Sequence, residues 1–134
     1  MLGYIDLREK MRKGNVFAGS EEIARDFFQN GQTPQIWQYT LKVHSDKNRF
    51  HYFTLPKETV VYLKSNEIRG IDILKDGSLS VNSRAICNCT KFFETKEECF
   101  RQFAIDLAKA KRVIEAGLEK DIYKKIRAGE KLLS

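Results

Sequence analysis

The chain of 134 residues has few of the residues that interrupt or cross-link a fold: two prolines, eight glycines and three cysteines. With so little proline and glycine, no linker or low-complexity segment divides the chain. Its length is typical of one domain, and we interpret residues 1–134 as a single domain. Three cysteines are too few, and odd in number, for a disulfide framework, which favours reduced thiols in a cytoplasmic protein.

Long apolar runs are also missing from the sequence. No segment approaches the roughly 20 apolar residues that a helix needs to cross a bilayer, so we expect no membrane span. The charged residues Asp6 and Arg8 lie near the start of the sequence, where a signal peptide requires an uninterrupted apolar stretch.

Motifs that carry catalysis are not found either. The glycine-rich patterns that bind phosphates are missing, and no group of carboxylates has the spacing of a two-metal site. Cys87, Cys89 and Cys99 supply three thiols, whereas a structural zinc site needs four ligands, and His44 and His51 lie far from them in the sequence. We therefore expect no metal, no cofactor and no enzymatic activity.

Positive charge is the broadest hint about a partner. The net charge is +6 and the isoelectric point is about 9.3. Residues 1–34 are balanced, so the surplus lies in the middle and in the C-terminal part of the chain. Such a surplus permits binding of a nucleotide or a nucleic acid, but it is equally typical of an ordinary solvated surface.

Residues 95–134 carry the clearest pattern in the chain. Thr95 and Glu98 have the spacing of a helix capping box, and apolar side chains then recur every three or four residues, which predicts a long amphipathic helix. Gly117 weakens this helix. Either the chain breaks there and folds back, or the helix projects and packs on a second subunit. We expect a homo-oligomer, with the interface on Leu118, Ile122 and Ile126.

Alternating apolar and polar residues predict strands in the middle of the chain. They cover residues 36–43, 49–55, 68–74, 79–81 and 85–90. We expect the third and fourth of these to pair across a type I′ turn at Asp76 and Gly77, since Asp-Gly favours the positive φ angles of that turn. Residues 55–66 fit either a helix or a strand, and Pro56, a good first residue of a helix, favours a short helix.

Short helices are predicted before this sheet, at residues 4–12 and from the helix cap Ser20 onward. Ile23, Phe27 and Phe28 would form the buried side of the second helix. The sequence therefore predicts an α+β fold: N-terminal short helices, an antiparallel sheet of four to five strands, and the long C-terminal helix across one face.

Basic and aromatic residues occur together on the predicted strands. Aromatic faces stack on bases and basic side chains neutralise phosphates, so we predict a ligand site at Arg49, His51, Tyr52, Arg84 and Lys91. The neighbouring aromatic residues could extend this platform, although alternating aromatic residues on a strand are ordinarily part of the core. The best-supported hypothesis is a small cytoplasmic, non-enzymatic protein that binds a nucleotide or a nucleic acid.

Two alternatives belong to other functional classes. A compact charged domain without catalytic motifs also suits an inhibitor or adaptor of the kind that phages and mobile elements encode, with a host protein as its partner. The second alternative is a small hydrolase that uses His51 as its general base, which requires an orienting partner and a water within reach.

Overall fold

The computed structural model describes residues 7, 9, 16–19, 21–31, 36–44, 51–115 and 120–134. These residues form a mixed α+β fold with an antiparallel sheet and a C-terminal helical region, as predicted. The elements are β1 (Phe17–Ala18), α1 (Glu21–Gln29), β2 (Trp37–Lys42), β3 (Tyr52–Lys64), β4 (Glu67–Asp72), β5 (Arg84–Ala85), β6 (Thr90–Phe93), α2 (Lys96–Glu115) and α3 (Lys120–Leu133).

The strands of the described sheet follow the order β5-β4-β3-β2-β6, and each neighbouring pair is antiparallel. The short β1 adds a parallel pairing to the end of β3. With 13 residues, β3 is long enough to pair with β2 through its first half and with β4 through its second half. This one strand therefore joins the two halves of the sheet.

The prediction of a short helix over residues 55–66 is wrong, because this segment belongs to β3. Its run of β-branched and aromatic residues favours a strand, and Val60, Val61 and Tyr62 are buried. Pro56 is accommodated at an irregularity, since the pairing shifts between Gln38 and Thr40 of β2 and leaves one extra residue on β3. A bulge is one of the few places where a strand tolerates a residue without an N–H donor.

The turn with two positive φ angles lies at Ser65 and Asn66, with φ of 50° and 66°. It joins β3 directly to β4, as a two-residue hairpin loop of type I′ does. At Asp76-Gly77, where the sequence predicted this turn, only Gly77 has a positive φ, of 87°. That chain reversal is a longer loop, closed by a bridge between Ile73 and Leu79.

The N-terminal helix α1 buries a different side from the predicted one. Ile23 and Phe27 are 50% and 37% exposed, whereas Ala24 is fully buried. Ser20 and the side chain of Phe28 lie outside the described residues. The predicted helix at residues 4–12 also lies mostly outside them, and its two described residues are helical.

The C-terminal segment forms two helices, and the second packs on the first. The N–H of Glu98 donates to Thr95 Oγ1 at 3.2 Å, which confirms the predicted cap of α2. Lys111 of α2 pairs with Glu130 of α3 at 3.5 Å, and Ile126 of α3 is 1% exposed within the core of its own chain. Among the described residues, no helix is long and apolar enough to cross a membrane.

This packing corrects the reason for expecting a subunit interface at Ile126. Ile126 packs in one cluster with residues of α2, so its burial requires no second subunit. Gly117 and Leu118 lie outside the described residues, as does the side chain of Ile122, and at those positions the interface stays a prediction.

The main core lies between α2, α3 and one face of the sheet. Tyr39 of β2 stacks on Phe93 of β6 with ring centroids 5.8 Å apart, and Phe103 of α2 meets Tyr39 edge-on at 5.1 Å. All three rings are fully buried. The rigid aromatic contact fixes α2 across β2 and β6, which positions the groove described next.

Candidate anion-binding groove

The described structure does not bring the five predicted ligand residues together. Arg84 lies on β5 and Lys91 on β6, at opposite edges of the sheet. His51 and Tyr52 lie at the start of β3, and Arg49 is outside the described residues. Arg84 is also occupied, because its guanidinium pairs with Asp72 at 3.0 Å.

The aromatic residues of the predicted platform divide between core and surface. Tyr39 and Phe93 are fully buried and Phe92 is 7% exposed, so for these residues the core interpretation is correct. Tyr52 remains on the surface with 45% of its side chain exposed. It lies opposite Lys42 in the register of β2 and β3, and the two side chains therefore share one face of the sheet.

His51 has one ring nitrogen engaged by the backbone. The N–H of His44 donates to Nδ1 of His51 at 3.0 Å, so in the neutral imidazole the proton resides on Nε2. In that state neither ring nitrogen is available to accept a proton from a substrate, which argues against a general base at this position.

Basic side chains do converge at another place, beside the end of β2. Strand β6 pairs with β2 only as far as Thr40 and Thr90, so residues 41–43 extend past it while α2 crosses above. The space between them is a groove of about 270 Å³. We call it the lysine groove; it is lined by Leu41, Lys42, Val43, Lys91, Asp106, Lys109, Ala110 and Val113.

Asp106 organises one side of the lysine groove through three hydrogen bonds. Its Oδ2 accepts from the hydroxyl of Tyr39 at 2.5 Å and from Nζ of Lys91 at 2.6 Å, and its Oδ1 accepts from Nε2 of Gln102 at 3.0 Å. Burial raises the pKa of this carboxyl, but the hydrogen bonds from Lys91 and Tyr39 outweigh it and leave the pKa below its usual value. Asp106 is therefore ionised at neutral pH and fixes the direction of Lys91.

Positive charge exceeds negative charge around this groove. Three lysines and one aspartate are among the lining residues, and the carboxylate is already paired with Lys91. Lys42 and Lys109 are exposed and have no ion-pair partner in the part of the chain that the structure describes. Two uncompensated cations beside an apolar floor are suited to an anion that bridges them.

Of the residues that line the lysine groove, sequence reasoning found Lys91 and missed Lys42, Asp106 and Lys109 as members of a site. Asp106 carried a usable signal. It lies three residues after Phe103 and four before Ala110, and thus on the apolar stripe of α2, where a carboxylate requires partners. Lys42 and Lys109 carried none, because exposed lysines occur throughout the chain.

The described residues contain no group of three histidine, cysteine, aspartate or glutamate side chains that could hold a metal ion. The chemistry of the lysine groove is accordingly that of charge and hydrogen bonding.

No family model, curated protein or solved structure matches this chain.

Proposed function

We propose that this protein is a non-enzymatic binding protein for a phosphate-bearing ligand, a nucleotide or a stretch of nucleic acid, and that the lysine groove holds the phosphate. The observation that carries the proposal is the presence of Lys42, Lys91 and Lys109 in the lining of one groove, two of them without an ion-pair partner in the described structure. Ammonium groups bind phosphate as point charges that can each approach a different oxygen.

The size of the groove supports a phosphate contact and not the enclosure of a whole ligand. Its volume of about 270 Å³ lies just below the range of roughly 300–1,000 Å³ that is common for small-molecule pockets. A phosphate group fits beside the three lysines, while a base or the next nucleotide lies outside.

The arrangement of Asp106 supports a site that is ready before the ligand arrives. Because Asp106 holds Lys91 by a 2.6 Å ion pair and is itself held by Tyr39 and Gln102, one of the three cations loses little side-chain freedom on binding. Preorganisation of this kind raises affinity by lowering the entropy cost of association.

Fluorescence anisotropy with a fluorescein-labelled single-stranded oligonucleotide tests the proposal at a series of salt concentrations. Three phosphate contacts predict a slope of about −2 for log K against log[salt], at about 0.7 for each contact. For Lys109→Gln we expect weaker binding and a slope about 0.7 shallower. Thermal shift assays with ATP, ADP and inorganic phosphate form the second arm and distinguish a free nucleotide from a nucleic acid.

The matched control is Lys75→Gln. Lys75 is exposed on the loop after β4, away from the lysine groove, and its substitution changes the net charge by the same amount. It should leave affinity and salt slope close to those of the unmodified protein. Equal effects of Lys75→Gln and Lys109→Gln would show that binding reflects overall charge alone, and no response to any probe at low salt would reject the proposal.

The adaptor and hydrolase alternatives give different outcomes in the same preparations. Native mass spectrometry that shows a stoichiometric protein partner and no phosphate ligand would favour the inhibitor or adaptor. The hydrolase alternative requires turnover of the bound nucleotide that is lost in His51→Ala. We expect no such turnover, because Nδ1 of His51 is engaged by the backbone of His44.

A further inference from the structure

Two of the three cysteines lie on one tight turn, directly before β6. The N–H of Thr90 donates to the carbonyl of Cys87 at 3.2 Å, which closes a four-residue β-turn that contains both Cys87 and Cys89. The sequence predicted a strand through these residues; the structure instead has the turn, in which Asn88 alone separates the two cysteines. Both side chains are half-buried, whereas Cys99 is fully buried in the core.

The thiol of Cys87 lies at the end of a chain of two threonine hydroxyl groups. The Sγ of Cys87 is 3.5 Å from Oγ1 of Thr90, which is 2.7 Å from Oγ1 of Thr40. A thiolate at Cys87 would accept a hydrogen bond from the Thr90 hydroxyl, and the Thr40 hydroxyl could donate one to Thr90 in turn. Such a chain of donors stabilises a negative charge on sulfur.

The surroundings shift the pKa values of the two thiols in opposite directions. Burial raises the pKa of Cys87, but hydrogen bonds from Thr90 and Cys89 outweigh it, so that the pKa lies below its ordinary value. Burial raises the pKa of Cys89, and a charge on Cys87 raises it further, while Lys42 acts in the opposite direction. Burial also raises the pKa of Cys99 to about 12. Cys87 is thus the thiol best able to attack, with Cys89 beside it as the second thiol.

From the turn geometry, the separation of the two cysteines by a single residue and their partial exposure, we infer that Cys87 and Cys89 form a thiol–disulfide exchange site for low-molecular-weight disulfides. The thiolate of Cys87 attacks one sulfur of the disulfide, which forms a mixed disulfide and releases one thiolate. Cys89 then gives up its proton to solvent and attacks Sγ of Cys87, which releases the second thiolate. In sum the protein loses two electrons and two protons, and the small disulfide is reduced to two thiols.

The product would be a reversible bond and not a structural cross-link. A disulfide between Cys87 and Cys89 closes a ring with one intervening residue, Asn88, so it removes little entropy from the unfolded chain. A ring this small also departs from relaxed disulfide geometry, which makes the bond easy to reduce. We therefore expect excess reduced thiol to restore both cysteines.

Glutathione disulfide is the probe for this inference, with the full chain and intact-mass spectrometry at pH 7. We expect the unmodified protein to lose two hydrogens, with the new bond mapped to Cys87 and Cys89, and to regain them with reduced glutathione. In Cys89→Ser the reaction should stop at a glutathione adduct on Cys87. In Cys87→Ser the rate should fall at least about tenfold, while Cys99→Ala should react like the unmodified protein.

The same reaction in urea-unfolded protein provides the reference rate. A thiol that is merely accessible reacts no faster in the folded chain than in the unfolded one, whereas the inferred site makes the folded chain faster at Cys87. This comparison uses the unmodified sequence and so does not depend on how well a variant folds. Equal or slower reaction of the folded chain, or a stable glutathione adduct where the internal disulfide is expected, would overturn the inference.

Discussion

At the scale of single residues, Asp106 explains how a carboxylate can lie on the apolar side of a helix. Its side chain is 12% exposed and is bonded by a tyrosine hydroxyl, a lysine ammonium and a glutamine amide. Taking a charge out of water is unfavourable, and the pairing offsets that cost only while all partners are present. We therefore expect variants of Asp106, Lys91 and Tyr39 to have strongly non-additive effects on stability.

The pH dependence of stability tests this cluster. The folded-state pKa of Asp106 is lowered, so its contribution is complete above the unfolded-state pKa of about 3.9 and is lost as the pH falls through the folded value. For Asp106→Asn we expect a loss of about 1–2 kcal/mol in unfolding free energy at pH 7, measured by urea denaturation. The difference from the unmodified protein should narrow toward pH 2. A difference that is equally large at pH 2 would contradict the assigned role.

At this scale, the properties of single residues were easier to predict from the sequence than the contacts between residues of different elements. The sequence predicted reduced cysteines, and the structure has all three free; it predicted Lys91 as a ligand residue, and Lys91 lines the lysine groove, where a ligand stays a proposal. It could not predict that Lys91 faces Asp106, because the two residues lie on different elements and their contact follows from the packing of α2 on β6. It also misassigned Ile23 and Phe27, since helical spacing alone does not say which side of a helix meets the sheet.

At the scale of elements, glycine has opposite expected effects in the two chain reversals that flank β4. Introducing it at Asn66 should stabilise the protein, and replacing it at Gly77 should destabilise the protein. Asn66 has a φ of 66°, which costs a residue with a Cβ more than it costs glycine. We expect Asn66→Gly to raise the unfolding free energy by about 0.5–1 kcal/mol. Gly77→Ala should lower it by about 1 kcal/mol, although no atom lies within 4 Å of the new Cβ. Thermal and urea unfolding check both; a gain for Gly77→Ala would contradict the assigned conformations.

The contact between α2 and α3 depends on a glycine. A Cβ at Gly129 would lie 3.0 Å from Cζ of Phe103 and 3.1 Å from Cδ2 of Leu107. Alanine gains about 1 kcal/mol in helix propensity, but overpacking costs about 1–3 kcal/mol, and the buried ring of Phe103 has little room to move. We expect Gly129→Ala to be destabilising by about 1 kcal/mol.

A double-mutant cycle with Phe103→Leu separates the gain in helix propensity from the cost of overpacking at Gly129. The smaller side chain removes one of the two close neighbours of the new Cβ and leaves Leu107 as the other, so in that background Gly129→Ala should be less destabilising. If the effect of Gly129→Ala is the same in both backgrounds, the close contact is not its cause.

The elements that sequence reasoning misjudged are those where tertiary pairing decided between two local preferences. In β3, Pro56 favoured a helix start and the following β-branched residues favoured a strand, and pairing with both β2 and β4 decided for the strand. The loop of Ser65 and Asn66 was missed because it lacks the Asn-Gly or Asp-Gly signature. The cap of α2 was predictable because Thr95 and Glu98 are local to one helix end.

At the scale of the whole molecule, β3 is the strand on which both halves of the sheet depend. Residues 59–64 pair with β4 along one edge, and Val60, Val61 and Tyr62 are at most 1% exposed. Hydrogen exchange should therefore be slowest in this segment and should require global unfolding. We expect much faster exchange at the exposed turn of residues 75–77. Fast exchange along residues 59–63 under native conditions would contradict the central role of β3.

The general architecture was predictable at this scale, and the location of the lysine groove was not. Hydrophobic periodicity predicted an antiparallel sheet followed by amphipathic helices, and the structure has both. The groove depends on β6 lying beside β2, although about fifty residues separate Thr40 from Thr90 in the chain. Nothing in either strand's own pattern specifies that partner, so the presence of Lys42 and Lys91 in the lining of one groove could only be seen in three dimensions.

The pairing of β2 with β6 also has a consequence for the order in which the chain folds. The hairpin of β3 and β4 closes across two residues and can form early, whereas the pairing of β2 with β6 joins strands that are distant in sequence, which is entropically slow. We expect φ-values near zero for substitutions at Tyr39 and Asp106 and higher values in the β3–β4 hairpin. The lysine groove would then be completed only in the last step of folding, so partly folded chains would lack the proposed phosphate site.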